Sequence, residues 1–183
     1  MTCKQESVQF SQEQTENSAK EDMLTKHVQN VEETWVLVKK DLVGNGAVFL
    51  FRFIGQNPEI KDLFSFGPNF DIEKDNHDHP ELRKQAAVLM KMIDYAVRCL
   101  HDLTNLTPKL KALGKKHYVK YNVKPEYFKP AIPPLMWTLE KGLGNIFTRE
   151  VEKSWRVIFG IVLDVMIEGA QEGIEELNNN ALS

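Results

Sequence analysis

The sequence predicts an all-α fold, and two observations carry that expectation. Apolar residues recur at steps of three and four over successive stretches, the spacing that gathers them on one side of a helix. Glycine- and proline-containing breaks separate those stretches, among them Gly44-Asn45-Gly46, Gly55-Gln56-Asn57-Pro58 and Gly142 to Asn145. No segment shows the alternation of a strand, and no internal repeat appears. The 183 residues, 42% of them hydrophobic, are enough for one domain with a sizeable core.

Residues 1–22 are polar, with Val8 and Phe10 as apolar anchors, and read as a disordered extension. The domain itself occupies 23–177, and 178–183 form a tail. Its first helix is expected to be capped by Thr25 and to bury Val28, Val31, Trp35 and Val38, leaving His27 exposed. After the break at Gly44-Asn45-Gly46 comes a helix with Val48, Phe49, Leu50, Phe51, Phe53 and Ile54. It is apolar nearly all round and so buried on more than one side. Asn57-Pro58 ends it, because the residue before proline avoids the helical region. Pro58 to Phe64 reads as a short tight helix. The loop beyond it carries Phe64, Phe66 and Phe70, rings that must be buried against the core or against a large apolar ligand. Residues 71–79 are a polar loop, in which His77 and His79 flank Asp78 as solvated groups rather than a metal site.

Pro80 opens the next helix at its first position. Its stripe is Leu82, Ala86, Leu89, Ile93, Val97 and Leu100, with Gln85 on the border. Thr107-Pro108 reads as the start of the following helix, whose stripe is Leu110, Leu113, Gly114 and His117, and Tyr118 to Val123 as a connection. A helix with Phe128, Ile132, Leu135, Leu139 and Leu143 on one face then contains Pro130, Pro133 and Pro134. Proline inside a helix costs about 3 kcal/mol, so a kink or a late start is expected here. The last helix opens at Thr148 and runs to about Leu177, burying Val151, Trp155, Ile158, Val162, Met166 and Gly169.

His117 thus closes an apolar face, and Gln85 presents an amide on the facing helix. An imidazole on one side and a hydrogen-bond donor on the other is what an iron porphyrin needs. A histidine satisfied within the core fits the same spacing.

Composition narrows the remaining classes. A net charge of −3 gives no reason to expect nucleic acid. The local basic patch of Lys109, Lys111, Lys115, Lys116, Lys120 and Lys124 reads as a solvated face or a partner's docking site. Cys3 and Cys99 make no disulfide framework, which favours a reduced, cytoplasmic setting. No apolar run reaches the ~18 residues of a membrane span. The N-terminus lacks the apolar core of a signal peptide, and Thr2 rules out N-myristoylation.

In their order and spacing these residues resemble the globin family over most of the ordered chain. Trp35 sits where the first globin helix carries its tryptophan. Arg52-Phe53, then Asn57-Pro58, then Phe64 match the second and third helices and the phenylalanine that stacks on haem. Pro80-Glu81-Leu82-Arg83-Lys84-Gln85 is similar to the opening of the distal helix in cytoglobin-like proteins, Leu113-Gly114-Lys115-Lys116-His117 to the proximal segment, and Trp155 to the last helix. The resemblance implies a three-over-three helical sandwich around haem b (iron protoporphyrin IX), with His117 as iron ligand and Gln85 at the distal position. It implies that Leu50 and Leu89 line the distal side, that Phe64 stacks on the porphyrin and Trp35 packs away from it. Val123 is then expected at the porphyrin edge and Phe128 in the pocket, with Gly46 facing Ala86 where two helices cross.

The function so implied is reversible binding of oxygen, carbon monoxide or nitric oxide in storage, transport or sensing, at a five-coordinate ferrous iron, by a monomer or homodimer. The alternative is a haem redox enzyme with nitric-oxide dioxygenase, nitrite reductase or peroxidase activity, served by an external reductase. A signalling module of the same fold without haem is a third reading, against which His117 and Phe64 argue. The sequence departs from many relatives in having Gln at the distal position. Leu50 stands where very tight oxygen binders have Tyr, and the prolines of the penultimate helix are unusual.

Overall fold

Neither glycine nor proline occurs before Gly44, and the chain makes full use of that. The computed structural model describes residues 3–181, with side chains from Ser18 onward. Helix α1 runs Cys3–Val38 in one piece. From Cys3 on, the segment expected to be disordered is therefore helical backbone. Its glutamines, glutamates and lysines are good helix formers and nothing in it breaks a helix. Thr25 is not a start either, since its hydroxyl donates to the Glu21 carbonyl one turn back, at 2.9 Å. The anchors Val8 and Phe10 lie outside the described side chains.

The break after α1 comes earlier than expected, as a 3-10 turn over Lys39–Asp41. The Asp41 carboxylate accepts the Gly44 N–H at 2.9 Å and caps α2 (Leu42–Gln56). Gly44-Asn45-Gly46 thus lies inside α2. A 3-10 helix follows at Pro58–Leu63, and a second turn at Gly67–Asn69. Helix α3 (Pro80–Arg98) opens at its proline.

Helix α4 (Leu103–Tyr121) exceeds expectation at both ends. Asp102 is a stronger cap than Thr107, taking the Asn105 N–H at 3.3 Å and its Nδ2 at 2.7 Å. Pro108 is carried inside the helix, and Tyr118 to Tyr121 continue it.

Two 3-10 turns, Pro125–Tyr127 and Lys129–Ala131, delay α5 (Ile132–Leu143). Pro133 and Pro134 then fall in its first turn, where backbone donors have no intrahelical acceptor and none is lost. The late start, not a kink, is what the prolines impose. Gly144, at φ 55°, ends the helix. Helix α6 (Arg149–Ala181) is opened by Thr148, whose hydroxyl accepts the Val151 N–H at 3.3 Å. It continues as far as Ala181, into the residues expected to form a tail.

Helix α3 packs chiefly on α2, and α4 chiefly on α6, which also carries α1. Both of the crossings that hold α3 and α4 depend on missing side chains. A Cβ on Gly46 would overlap Met90 Cγ and come 3.3 Å from Ala86 Cβ, so Gly46 does face Ala86. A Cβ on Gly114 would overlap the Met166 carbonyl, and one on Gly169 the Lys111 carbonyl.

At the centre Trp35 and Trp155 lie 5.7 Å apart at 51°. Trp35 Nε1–H donates to Asp94 at 2.8 Å, and Trp155 Nε1–H to Thr34 Oγ1 at 2.9 Å. Burial pushes the Asp94 carboxyl up, but the Trp35 bond and the Lys39 and Arg98 charges outweigh it and hold the group below the usual carboxylate range.

His27 is buried, not exposed as its sequence context suggested. Ser154, across on α6, commits its hydroxyl proton to the Glu150 carbonyl at 2.8 Å. Its oxygen then accepts from Asn30 Nδ2 and from His27 Nδ1, each at 2.9 Å. Burial, then Lys153 and Lys26, hold His27 below its ordinary value.

Trp35→Ala should lower stability by about 3–5 kcal/mol in urea denaturation, the cost of emptying a buried aromatic site. The His27 shift predicts a pH dependence. An unfolded His27 takes up its proton near pH 6.5 and the folded one only at lower pH, so stability present above about pH 6.5 is lost as the pH falls through the folded value. Denaturation between pH 7 and pH 5, roughly, should show that loss, with a shallower slope in His27→Gln.

Candidate functional site

Helices α3 and α4 follow one another in the chain, yet each lies mainly on a different neighbour. Helix α3 accordingly carries two apolar rows. The core row is Leu82, Ala86, Met90, Ile93 and Val97. Leu89, expected in that row, is half-buried and belongs to a second one with Gln85, Val88 and Met92. Val88 and Met92 are 59% and 42% exposed, an apolar row left for something other than the core. The sequence reading missed both residues, because a single stripe per helix was assumed. Gln85 is exposed and makes no hydrogen bond among the described residues.

On α4, His117 is half-buried. Its Nδ1 lies 2.8 Å from the Leu113 carbonyl. A carbonyl only accepts, so Nδ1 carries the proton and Nε2 the lone pair. No group among the described residues takes that lone pair. Burial pushes the ring below its ordinary value; the Leu113 carbonyl pulls it back up and Lys116 presses it down again. The group is a neutral imidazole with one oriented, unused nitrogen, the state a metal ligand requires.

The rest of the proximal wall is built around that ring. Phe128 lies 5.9 Å from it at 56°, and Tyr121 6.1 Å away, edge on, at 73°. Tyr121 was not foreseen. Asn122 ends the helix at φ 55°, in the left-handed region that asparagine tolerates. That turn brings the Val123 N–H back onto the His117 carbonyl at 3.0 Å. Val123 is thereby fixed one short loop from the imidazole, and half-buried.

Leu50 is buried in α2. Phe64 is half-buried and stacks on Phe66 at 5.3 Å, while Phe66 and Phe70 are buried against each other. Their rings enclose His79, 6.3 Å from Phe66 and 5.4 Å from Phe70, with its Nδ1 buried and unpartnered. The aromatic loop therefore closes largely on itself and on His79, with Phe64 its least covered ring. The structure gathers His117, Phe128 and Val123 directly. It sets Gln85 and Leu89 on α3, Leu50 on α2 and Phe64 in the loop, and no hydrogen bond or ring contact joins these to His117.

The basic patch is partly consumed within the fold. Lys111 pairs with Glu168 at 3.0 Å and Glu172 at 3.3 Å, and Lys115 with Glu176. Lys109 lies on the Tyr95 ring and hydroxyl. Cys99 is free, and the Cys3 side chain lies outside the described residues. Among the described residues no helix is long and apolar enough to cross a membrane.

No cluster of three or more His, Cys, Asp or Glu that could hold an ion occurs among the described residues. A bare ion needs several protein ligands. One free imidazole beside aromatic and aliphatic walls instead suits a metal that brings its own planar ligand. On these observations the His117 imidazole, with Phe128 beside it and Val123 one short loop away, fits haem.

Comparison with known proteins agrees. The family model described as Globin matches residues 47–166, which include Gln85 and His117. Cytoglobin-2 of Danio rerio is 31% identical over 144 residues, covering 78% of this chain and 80% of that protein. Neuroglobin of Tetraodon nigroviridis is 28% identical over 149 residues, 81% of this chain and 93% of that one. Among solved structures, a hexacoordinated heme protein from an anhydrobiotic tardigrade, crystallised at pH 4, superposes with a TM-score of 0.69. It is 19% identical, over 79% of this chain and 93% of that one, and the likeness is one of fold.

Proposed function

This chain belongs to the globin family and binds haem, and we propose that it reversibly binds a diatomic gas, oxygen first, at an open iron site held by His117 alone. The observation that carries this reading is the His117 ring, its Nδ1–H on the Leu113 carbonyl at 2.8 Å and its Nε2 unused. Bound haem supplies an iron centre to which oxygen, carbon monoxide or nitric oxide binds and from which it leaves. Every other contribution comes from the chain. His117 would hold the iron through Nε2, with Val123 and Phe128 beside the porphyrin and Phe64 against it. Leu50 and Leu89 keep the distal side apolar. Gln85 would offer its amide N–H as the hydrogen-bond donor on that side.

The tardigrade protein is hexacoordinated; for this chain to be so, a second side chain would have to reach the iron. Gln85 is poorly suited, because its nitrogen lone pair is delocalised into the amide and its oxygen is hard. The other histidines are engaged or remote in the fold. His27 bonds Ser154, His101 pairs with Glu32 at 3.1 Å, and His77 is exposed beside Asp78. His79 keeps a buried, unpartnered Nδ1, but it stands before Pro80, outside α3, and Phe66 and Phe70 close over its ring. That placement supports a five-coordinate ferrous state.

One feature weighs against peroxidase chemistry. The partner of His117 Nδ1 is a neutral carbonyl, whereas a carboxylate there would make the imidazole more basic and a stronger donor to iron. Nitric-oxide dioxygenase or nitrite reductase activity with an external reductase is the alternative, and reduction and autoxidation rates distinguish it from storage, transport or sensing.

His117→Ala should abolish stoichiometric haem binding or leave haem loosely held; full retention with an unchanged absorption spectrum would overturn the ligand assignment. Gln85→Leu should remove one hydrogen bond, worth roughly 0.5–1.5 kcal/mol, and so speed oxygen release about two- to twelvefold. Carbon monoxide release should change less. Flash photolysis and stopped flow measure both. A low-spin six-coordinate spectrum of the deoxygenated ferrous protein would contradict the open site.

A further inference from the structure

The device that fixes the His117 ring continues into the contact between α4 and α6. The carbonyl that receives the imidazole proton belongs to the peptide joining Leu113 to Gly114. The Cα of Gly114 rests against the Met166 carbonyl of α6, with no room for a Cβ. One turn earlier the relation is reversed, with Gly169 of α6 against the Lys111 carbonyl of α4. Further along, Gly173 meets Val119 Cγ2 at 3.1 Å and Lys115 Cγ at 3.3 Å. The two backbones thus touch without intervening side chains over the turns that precede His117. The pairs of Lys111 with Glu168 and Glu172, and of Lys115 with Glu176, lie along the same contact.

We propose that Gly114 and Gly169 are positioning residues for the iron ligand: the direct α4–α6 backbone contact sets the Leu113 carbonyl, and through it the orientation and tautomer of the His117 imidazole. The proposal rests on the reading of His117 as iron ligand. A methyl group on either glycine must push α4 away from α6, because the obstacle is backbone and cannot rotate aside. The peptide plane carrying the Leu113 carbonyl moves with it. Such outer partners of a ligating histidine fix its ring, and disturbing them typically weakens metal binding about ten- to a hundredfold.

The test compares Gly169→Ala and Gly114→Ala with Gly160→Ala, a control on α6 where a Cβ meets nothing within 4 Å. The first readout uses haem-free protein labelled with ¹⁵N-histidine. Wild type and G160A should show His117 protonated on Nδ1, and G169A and G114A a mixture of tautomers. The second uses haem-loaded protein. The iron–histidine stretching frequency in the ferrous resonance Raman spectrum should shift, and haem loss should speed up about tenfold or more, in G169A but not in G160A. If G169A and G114A do not fold by circular dichroism, Gly173→Ala, whose neighbours need yield only a few tenths of an ångström, should shift both signals in the same direction. Unchanged tautomer and frequency in the folded variants overturn the proposal. Haem retention by His117→Ala overturns the ligand reading instead, and the tautomer measurement still decides the positioning role.

Discussion

Close approach of helix backbones is the constraint on which this molecule depends. At Gly46 it lets α3 settle on α2, and at Gly114 and Gly169 it lets α4 settle on α6. Each of the two helices is thereby committed to a different neighbour, although they are consecutive in the chain. A helix held along one side by a tight crossing has its other sides free for something else. On α3 the remainder is a second apolar row ending in a polar amide; on α4 it is the side that carries Leu113 and His117. In the proposed site, haem would make up what neither helix can obtain from the other.

The remaining helices serve as a frame, and the frame is fastened by polar groups as much as by apolar ones. Trp35 and Trp155 bury large surfaces, but each also donates a hydrogen bond, to Asp94 and to Thr34. These bonds tie α1 to α3 and to α6 with defined rotation, which packing alone leaves loose. Ser154, next to Trp155 on α6, does the same, and its one hydroxyl satisfies His27, Asn30 and the Glu150 carbonyl. The frame is therefore sensitive to substitutions that keep size but change hydrogen-bonding capacity.

What was legible in the sequence was what local chemistry decides. Pro133 and Pro134 announced a kink or a late helix start, because the missing donor acts within one turn. The spacing of Leu110, Leu113 and His117 placed the histidine on an apolar border, and the resemblance in residue order supplied the cofactor. What was not legible depends on distant partners. The burial of His27 is decided by Ser154, more than a hundred residues away. The start of α4 passed from Thr107 to Asp102 because two caps competed and the carboxylate won. Val88 and Met92 were unreadable as a set, since an exposed apolar residue has no signature until its helix is seen packed elsewhere. The helical run through residues expected to be disordered shows that polar composition alone does not exclude regular backbone.

In the proposed site the distal group is a carboxamide, and that bears on acid sensitivity. A glutamine side chain neither gains nor loses a proton anywhere in the physiological range, and the desolvated imidazole of His117 holds its neutral form to lower pH than an exposed one. In the proposed site both polar groups, Gln85 and His117, would thus be indifferent to moderate acidification. In the gas-binding reading, metabolic acidosis would leave the grip on oxygen untouched at the pocket itself. The acid response derived for His27 arises instead in the frame, where that ring sits between two helices.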